Sequence, residues 1–171
     1  MNDVIKYAAT ERLYVAQFGG TLIDDERQWK IDADILTPDG KTVSVKDQLK
    51  SSAKYGNLAI GVEMSNPRNG ATKPDWFGYI NTTGCALLCT HPQTKEAIWI
   101  RCTPEKLKAW VKDNASKLRK FNLQPSTVQH NEQQGRTYTD GWGYLVPVQS
   151  LLDGGFQFTI LNQHYNTEKG N

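Results

Sequence analysis

The sequence predicts a single-domain α/β protein in which a mixed central sheet is flanked by helices, and three observations predict it. Residues 3–18 carry Val4, Ala8, Leu13, Val15, Ala16 and Phe18 at intervals that suit an amphipathic helix. Residues 29–37 and 41–49 alternate apolar and polar side chains on either side of Pro38-Asp39-Gly40. The apolar runs LAIGVEMS, CALLCT and AIWIRC read as further strands. A length of 171 residues suits one core, and 38% apolar with 22% charged residues describes a folded chain.

Taken in order, the first helix ends at Gly19-Gly20, residues suited to a C-cap. WKIDADILT (29–37) and KTVSVKDQL (41–49) form a hairpin, because Pro38 presets its backbone angle and Gly40 tolerates positive φ. A third strand, 58–65, follows a short polar loop. Residues 66–75, NPRNGATKPD, read as a mobile loop. A short helix over 76–82 precedes strands 85–90 and 97–102, which HPQTKE joins. Thr103 can cap the next helix and Pro104 suits its first position; Leu107, Trp110, Val111 and Leu118 extend it over 104–120. Residues 121–171 form an irregular extension in which WGYLVPVQSLL and FQFTIL return to the core.

The net charge of +2 conceals an uneven distribution. Residues 1–103 hold 12 basic and 12 acidic side chains, residues 104–120 hold 6 and 2, and residues 121–171 hold 2 and 4. The excess therefore sits on the helix 104–120, whose cations are either a solvated face or an edge for a phosphate backbone. No run reaches the ~18 apolar residues of a membrane span, and the first residues lack the pattern of a signal peptide. Three cysteines make no complete disulfide framework, so reduced thiols in a cytoplasm are expected.

Carboxylates interrupt the apolar strands. Asp32 and Asp34 lie in the first, Asp47 near the end of the second and Glu63 near the end of the third. They are either the wet face of a sheet or a cluster that a cation neutralises. Oxygen ligands suit a hard ion such as Mg²⁺, and Lys46 beside such a cluster would complete a site that cleaves phosphodiesters. Lys46 and Asp47, as neighbours on a strand, point to opposite faces, so only one faces the site unless a bulge re-aims the other. Cys85, Cys89, His91 and Cys102 invite a zinc reading, but cysteines inside CALLCT behave as small buried hydrophobes.

The order of helix, hairpin with an internal Asp, third strand with a late Glu, helix and strand, over residues 8–102, resembles the PD-(D/E)XK nuclease superfamily. The run from Asp34 through PDGKTVSVKDQ to AIGVEMS and DWFGYINTTGCALLCT is similar to small phage and bacterial nuclease-like proteins of that superfamily. The resemblance implies a restriction-endonuclease-like α-β-β-β-α-β core that hydrolyses DNA phosphodiesters with Mg²⁺ or Mn²⁺. It implies Asp34, Asp47 and Glu63 as metal ligands, with Lys46 or Gln48 near the attacking water. Glu11 is either a further metal-site carboxylate or an exposed residue paired with a cation such as Arg12. Arg68, Lys73, Lys106, Lys112, Lys117 and Arg119 are the expected DNA contacts. The expected setting is the cytoplasm of a bacterial cell or phage-infected host, and a homodimer is one arrangement in which both strands of a duplex could be cut. The chain departs from the family pattern, since Lys46-Asp47-Gln48 and Glu63-Met64-Ser65 replace the acidic-x-Lys triplet. The alternative is a nuclease fold that no longer cleaves and binds DNA or a protein partner, for example as a phage factor acting on a host system.

Overall fold

Pro38-Asp39-Gly40 turns the chain as its residues dictate: Gly40 takes φ +85°, and Thr37 N donates to Lys41 O at 2.8 Å. The computed structural model describes residues 3–162, with side chains from residue 9 onward. The side chains of Val4 and Ala8 in the expected apolar stripe lie outside the described residues.

The chain runs α1 (Asp3–Phe18), β1 (Thr21–Leu22), α2 (Arg27–Lys30), β2 (Ile35–Leu36), β3 (Thr42–Asp47), α3 (Leu49–Tyr55), β4 (Asn57–Ser65), β5 (Thr72–Pro74) and α4 (Trp76–Tyr79). It continues through β6 (Gly84–Thr90), β7 (Ala97–Cys102), α5 (Pro104–Asn114), a 3₁₀ turn (Ala115–Lys117), β8 (Arg119–Asn122), α6 (Pro125–Gln133), β9 (Asp140–Pro147), α7 (Val148–Asp153) and β10 (Phe158–Ile160). One sheet has the order β1-β2-β3-β6-β7-β10 and is mixed, with β3 parallel to β6 and the other neighbours antiparallel. A second sheet has the order β5-β4-β9-β8 and is antiparallel throughout.

The first sheet is buried on both faces. Val43, Val45, Ala86, Leu88 and Trp99 pack toward Leu13 and Tyr14 of α1. Cys85, Leu87, Cys89, Ile98 and Ile100 pack on the other face with Leu107 and Val111 of α5 and with Leu58, Ile60 and Val146 of the second sheet. The molecule is thus mixed α/β, a mixed sheet flanked by helices, with strands β6 and β7 close to the expected ranges. Among the described residues no helix is long and apolar enough to cross a membrane.

Four expectations are corrected. The strand over 29–37 shortens to Ile35–Leu36, because the preceding charges close a helical turn. Asp25 Oδ1 accepts the Arg27 N–H at 3.0 Å, and Lys30 pairs with Glu26 one turn back. The third strand is not a neighbour of β3. Residues 49–55 form α3, ended by Gly56 at φ +72°, and β4 leaves to join β9 in the second sheet. The basic helix stops at Asn114, and Arg119 and Lys120 belong to β8. The extension is ordered over much of its length as α6, β9, α7 and β10.

Candidate active site at the carboxylates of α1 and the β2–β3 hairpin

Strand β3 divides its side chains by simple alternation. Val43 and Val45 face α1, whereas Ser44 and Lys46 face the opposite side. There they meet Asp32, which sits just before β2 at φ 57°, a left-handed conformation that Asp tolerates better than most residues. Lys46 Nζ lies 3.2 Å from Asp32 Oδ2 and 5.6 Å from the centre of the Trp76 ring. Trp76 Nε1 donates to Ser44 Oγ at 2.9 Å, and Ser44 Oγ donates in turn to Asp32 Oδ2. Tyr79 OH donates to Asp32 Oδ1 at 3.3 Å. Burial together with the Asp32 carboxylate raises the Tyr79 phenol, keeping it a donor.

Two residues on from Asp32, Asp34 continues the hairpin ladder: its N–H donates to Val43 O at 2.9 Å, and its Oδ2 accepts the Val45 N–H at 2.7 Å. Glu11 of α1 is hydrogen-bonded to it, and both carboxyls are buried. Burial pushes Asp34 up to about 8; the Asp32 and Glu11 charges act in the same direction, while the Val45 N–H and Lys46 oppose them. Burial likewise raises Glu11 against its bond to Asp34 and the pull of Lys46. Two buried carboxyls in contact cannot both ionise cheaply, so they hold a proton between them near neutral pH.

Of the residues expected at the site, Asp34 and Lys46 are brought together and Glu11 joins them from α1. Asp47 points the other way, as alternation requires: it is exposed, accepts from Thr10 Oγ1 at 2.9 Å and from Leu49 N at 3.0 Å, and so holds α1 and opens α3. Gln48 joins the two sheets, its amide donating to Ala59 O and accepting from Ala59 N, each at 3.1 Å. Glu63 lies in the second sheet, where its Oε1 accepts from Trp142 Nε1 at 3.3 Å. Its expected place beside Asp34 and Asp47 is corrected with the strand that carries it.

The expected DNA contacts are scattered. Arg68 lies in the turn after β4, and Lys73 sits 4.7 Å from the centre of the Tyr138 ring. Lys106 covers Phe156 at 4.5 Å and donates to Gly155 O at 3.3 Å. Lys112, Lys117 and Arg119 are exposed. Cys85 and Cys102 oppose each other across β6 and β7 with sulfurs 3.5 Å apart, and Cys89 is buried in the core.

Sequence reasoning left Ser44, Trp76 and Tyr79 out of the site and did not carry Asp32 into it. The two-residue spacing of Ser44 and Lys46 was the available signal for a shared face. Among the described residues, no group of three His, Cys, Asp or Glu side chains could hold a metal ion. The Glu11–Asp34 pair provides two carboxyls, a number that Mg²⁺ accepts when water and substrate phosphate supply the remaining ligands. No family model matches the chain, and no curated protein matches it significantly.

Proposed function

We propose that this protein hydrolyses DNA phosphodiester bonds with Mg²⁺ or Mn²⁺ in a PD-(D/E)XK-like core. The observation that carries the reading is the buried Glu11–Asp34 pair beside Asp32 and Lys46. The order α1-β1-α2-β2-β3-α3-β6 supports it, with β4, β5 and α4 inserted before β6. Lys46 stands two residues after Ser44, so the triplet of the superfamily is read as Ser44-Val45-Lys46, a hydroxyl replacing the acidic group.

The donor set fits a hard cation. Glu11 and Asp34 are oxygen ligands held together with a shared proton, and a divalent ion would replace that proton. The cation would supply Lewis acidity toward phosphate and water. The protein's own residues do the rest. Trp76 and Ser44 fix Asp32, Asp32 holds the Lys46 ammonium at 3.2 Å, and Lys46 offers positive charge to a phosphate oxygen.

A second reading, a nuclease fold that binds DNA or a protein without cutting, is favoured by one feature: Lys46 is already paired with Asp32, and Ser44 stands where an acidic group is expected. Incubation of supercoiled, linear and branched DNA with Mg²⁺, Mn²⁺ or EDTA separates the two. Nicking that EDTA stops and Glu11→Gln removes supports the hydrolase. Salt-dependent binding that is indifferent to EDTA, with intact DNA, supports the second reading.

A further inference from the structure

Ser65 pairs with Asp140, so the turn that follows β4 and the loop that precedes β9 leave the second sheet at the same end. Between them lies a cavity of about 390 Å³, lined by Asn66, Arg68, Glu132, Arg136 and Thr139 among others. Both walls are built. On one side Asn66 organises the turn: its N–H donates to Ala71 O, its carbonyl accepts from Gly70 N, and its Oδ1 accepts the Arg68 N–H at 2.9 Å. On the other side buried Asn131 donates through Nδ2 to Thr139 O at 3.0 Å and accepts from an Arg136 guanidinium nitrogen at 2.9 Å. Asn131 therefore sets the positions of Arg136 and Thr139 together.

Thr139 is 4% exposed and its hydroxyl is closed off from solvent, so it shapes the wall of the cavity and offers a ligand no donor. The charges lining the cavity favour an anion, because Arg68 and Arg136 stand against the single Glu132 carboxylate. Guanidinium matches phosphate oxygens in paired hydrogen bonds. The volume admits more than an isolated ion and lies in the range of small-molecule sites.

We propose that this cavity is a phosphate-binding pocket for a nucleotide-sized ligand, with Arg68 and Arg136 on the phosphate oxygens. Two sources present this chemistry, a free nucleoside monophosphate and the terminal phosphate of a nucleic acid strand. The proposal uses none of the carboxylate-site residues and stands whether or not that site cleaves DNA.

The test is titration calorimetry on the full chain at constant ionic strength, using inorganic phosphate, a nucleoside 5′-monophosphate, the matching nucleoside, and one oligonucleotide with and without a 5′-phosphate. Binding is expected only for phosphorylated probes. Arg68→Gln removes a side chain that bonds nothing else among the described residues and should weaken binding about tenfold or more. Arg136→Gln should weaken it likewise, and Glu132→Gln should strengthen it. Mononucleotide binding equal to that of the phosphorylated strand identifies the free nucleotide as source; preference for the strand identifies its end. Equal affinity for nucleoside and nucleotide, or unchanged affinity in both Arg68→Gln and Arg136→Gln, overturns the pocket. Thermal unfolding of each variant without ligand confirms that the fold is intact, and an unaltered Glu132→Gln affinity also counts against it.

Discussion

The indole of Trp76 donates to Ser44 Oγ at 2.9 Å, tying the first turn of α4 to the middle of β3. The same hydroxyl donates to Asp32, so one small side chain links the aromatic wall to the carboxylate that holds Lys46. Ser44→Ala leaves a buried indole N–H without its acceptor and removes one donor from Asp32. Such losses cost about 1–3 kcal/mol, and a lower urea midpoint at unchanged m value is the expected result.

Asp34 gives stability a definite pH dependence. Its carboxyl is raised to about 8 in the folded protein, from an ordinary value near 4 when unfolded. Between those values the native state binds more protons than the unfolded state, so stability falls as pH rises. The contribution is fully present below about pH 4 and is lost as pH passes through about 8. Asp34→Asn keeps an oxygen for the Val45 N–H and removes the titrating group. Urea unfolding at pH 5 and pH 8.5 should show a drop of a few kcal/mol in the parent chain and a smaller one in Asp34→Asn. Equal drops would show that another group sets the dependence.

Gln48 makes a paired contact with the Ala59 backbone, at 3.1 Å in each direction, where β3 gives way to α3. Gln48→Ala strands the Ala59 N–H and carbonyl and loosens the second sheet from the first. A cost of about 1–3 kcal/mol is expected, together with faster hydrogen exchange in β4 than in β6. Uniform exchange in both strands would argue against a tie between sheets.

The parts of this fold that were legible in the sequence are local. Gly40 is needed at the hairpin turn, and Thr103 caps α5, its Oγ1 accepting the Lys106 N–H at 3.1 Å. The end of α5 was not legible, because Leu118 does pack against the core, yet from extended backbone after a 3₁₀ turn. The second sheet was hidden because β4 finds its partner in β9, far along the chain. Gly61 marks that strand as crowded, since a Cβ there would lie 2.1 Å from Asp75 Oδ2. The site was half legible for the same reason. Asp34 and Lys46 announce themselves by type on a hairpin, whereas Glu11 reaches the site only once α1 docks, and Asp32 only through its positive φ. Glu63 was grouped with them on the rule that consecutive strands are neighbours, which β4 breaks.

That regrouping separates two sets of carboxylates in one experiment. On the proposed hydrolase reading, Glu11→Gln and Asp34→Asn should each lower Mn²⁺-dependent cleavage by at least ~100-fold, since they remove the oxygens that would bind the cation and the proton it would displace. Asp47→Asn and Glu63→Gln should stay within a few-fold of the parent, because those carboxylates serve Thr10, Leu49 and Trp142 instead. Calorimetry with Mn²⁺ in two buffers of different ionisation enthalpy gives a readout independent of cutting. About one proton should be released per ion below pH 8 in the parent chain and in Glu63→Gln, and none in Asp34→Asn. Loss of cleavage in Glu63→Gln with an intact fold would return the metal site to the second sheet. Release of a proton in Asp34→Asn would show that the cation binds away from the Glu11–Asp34 pair.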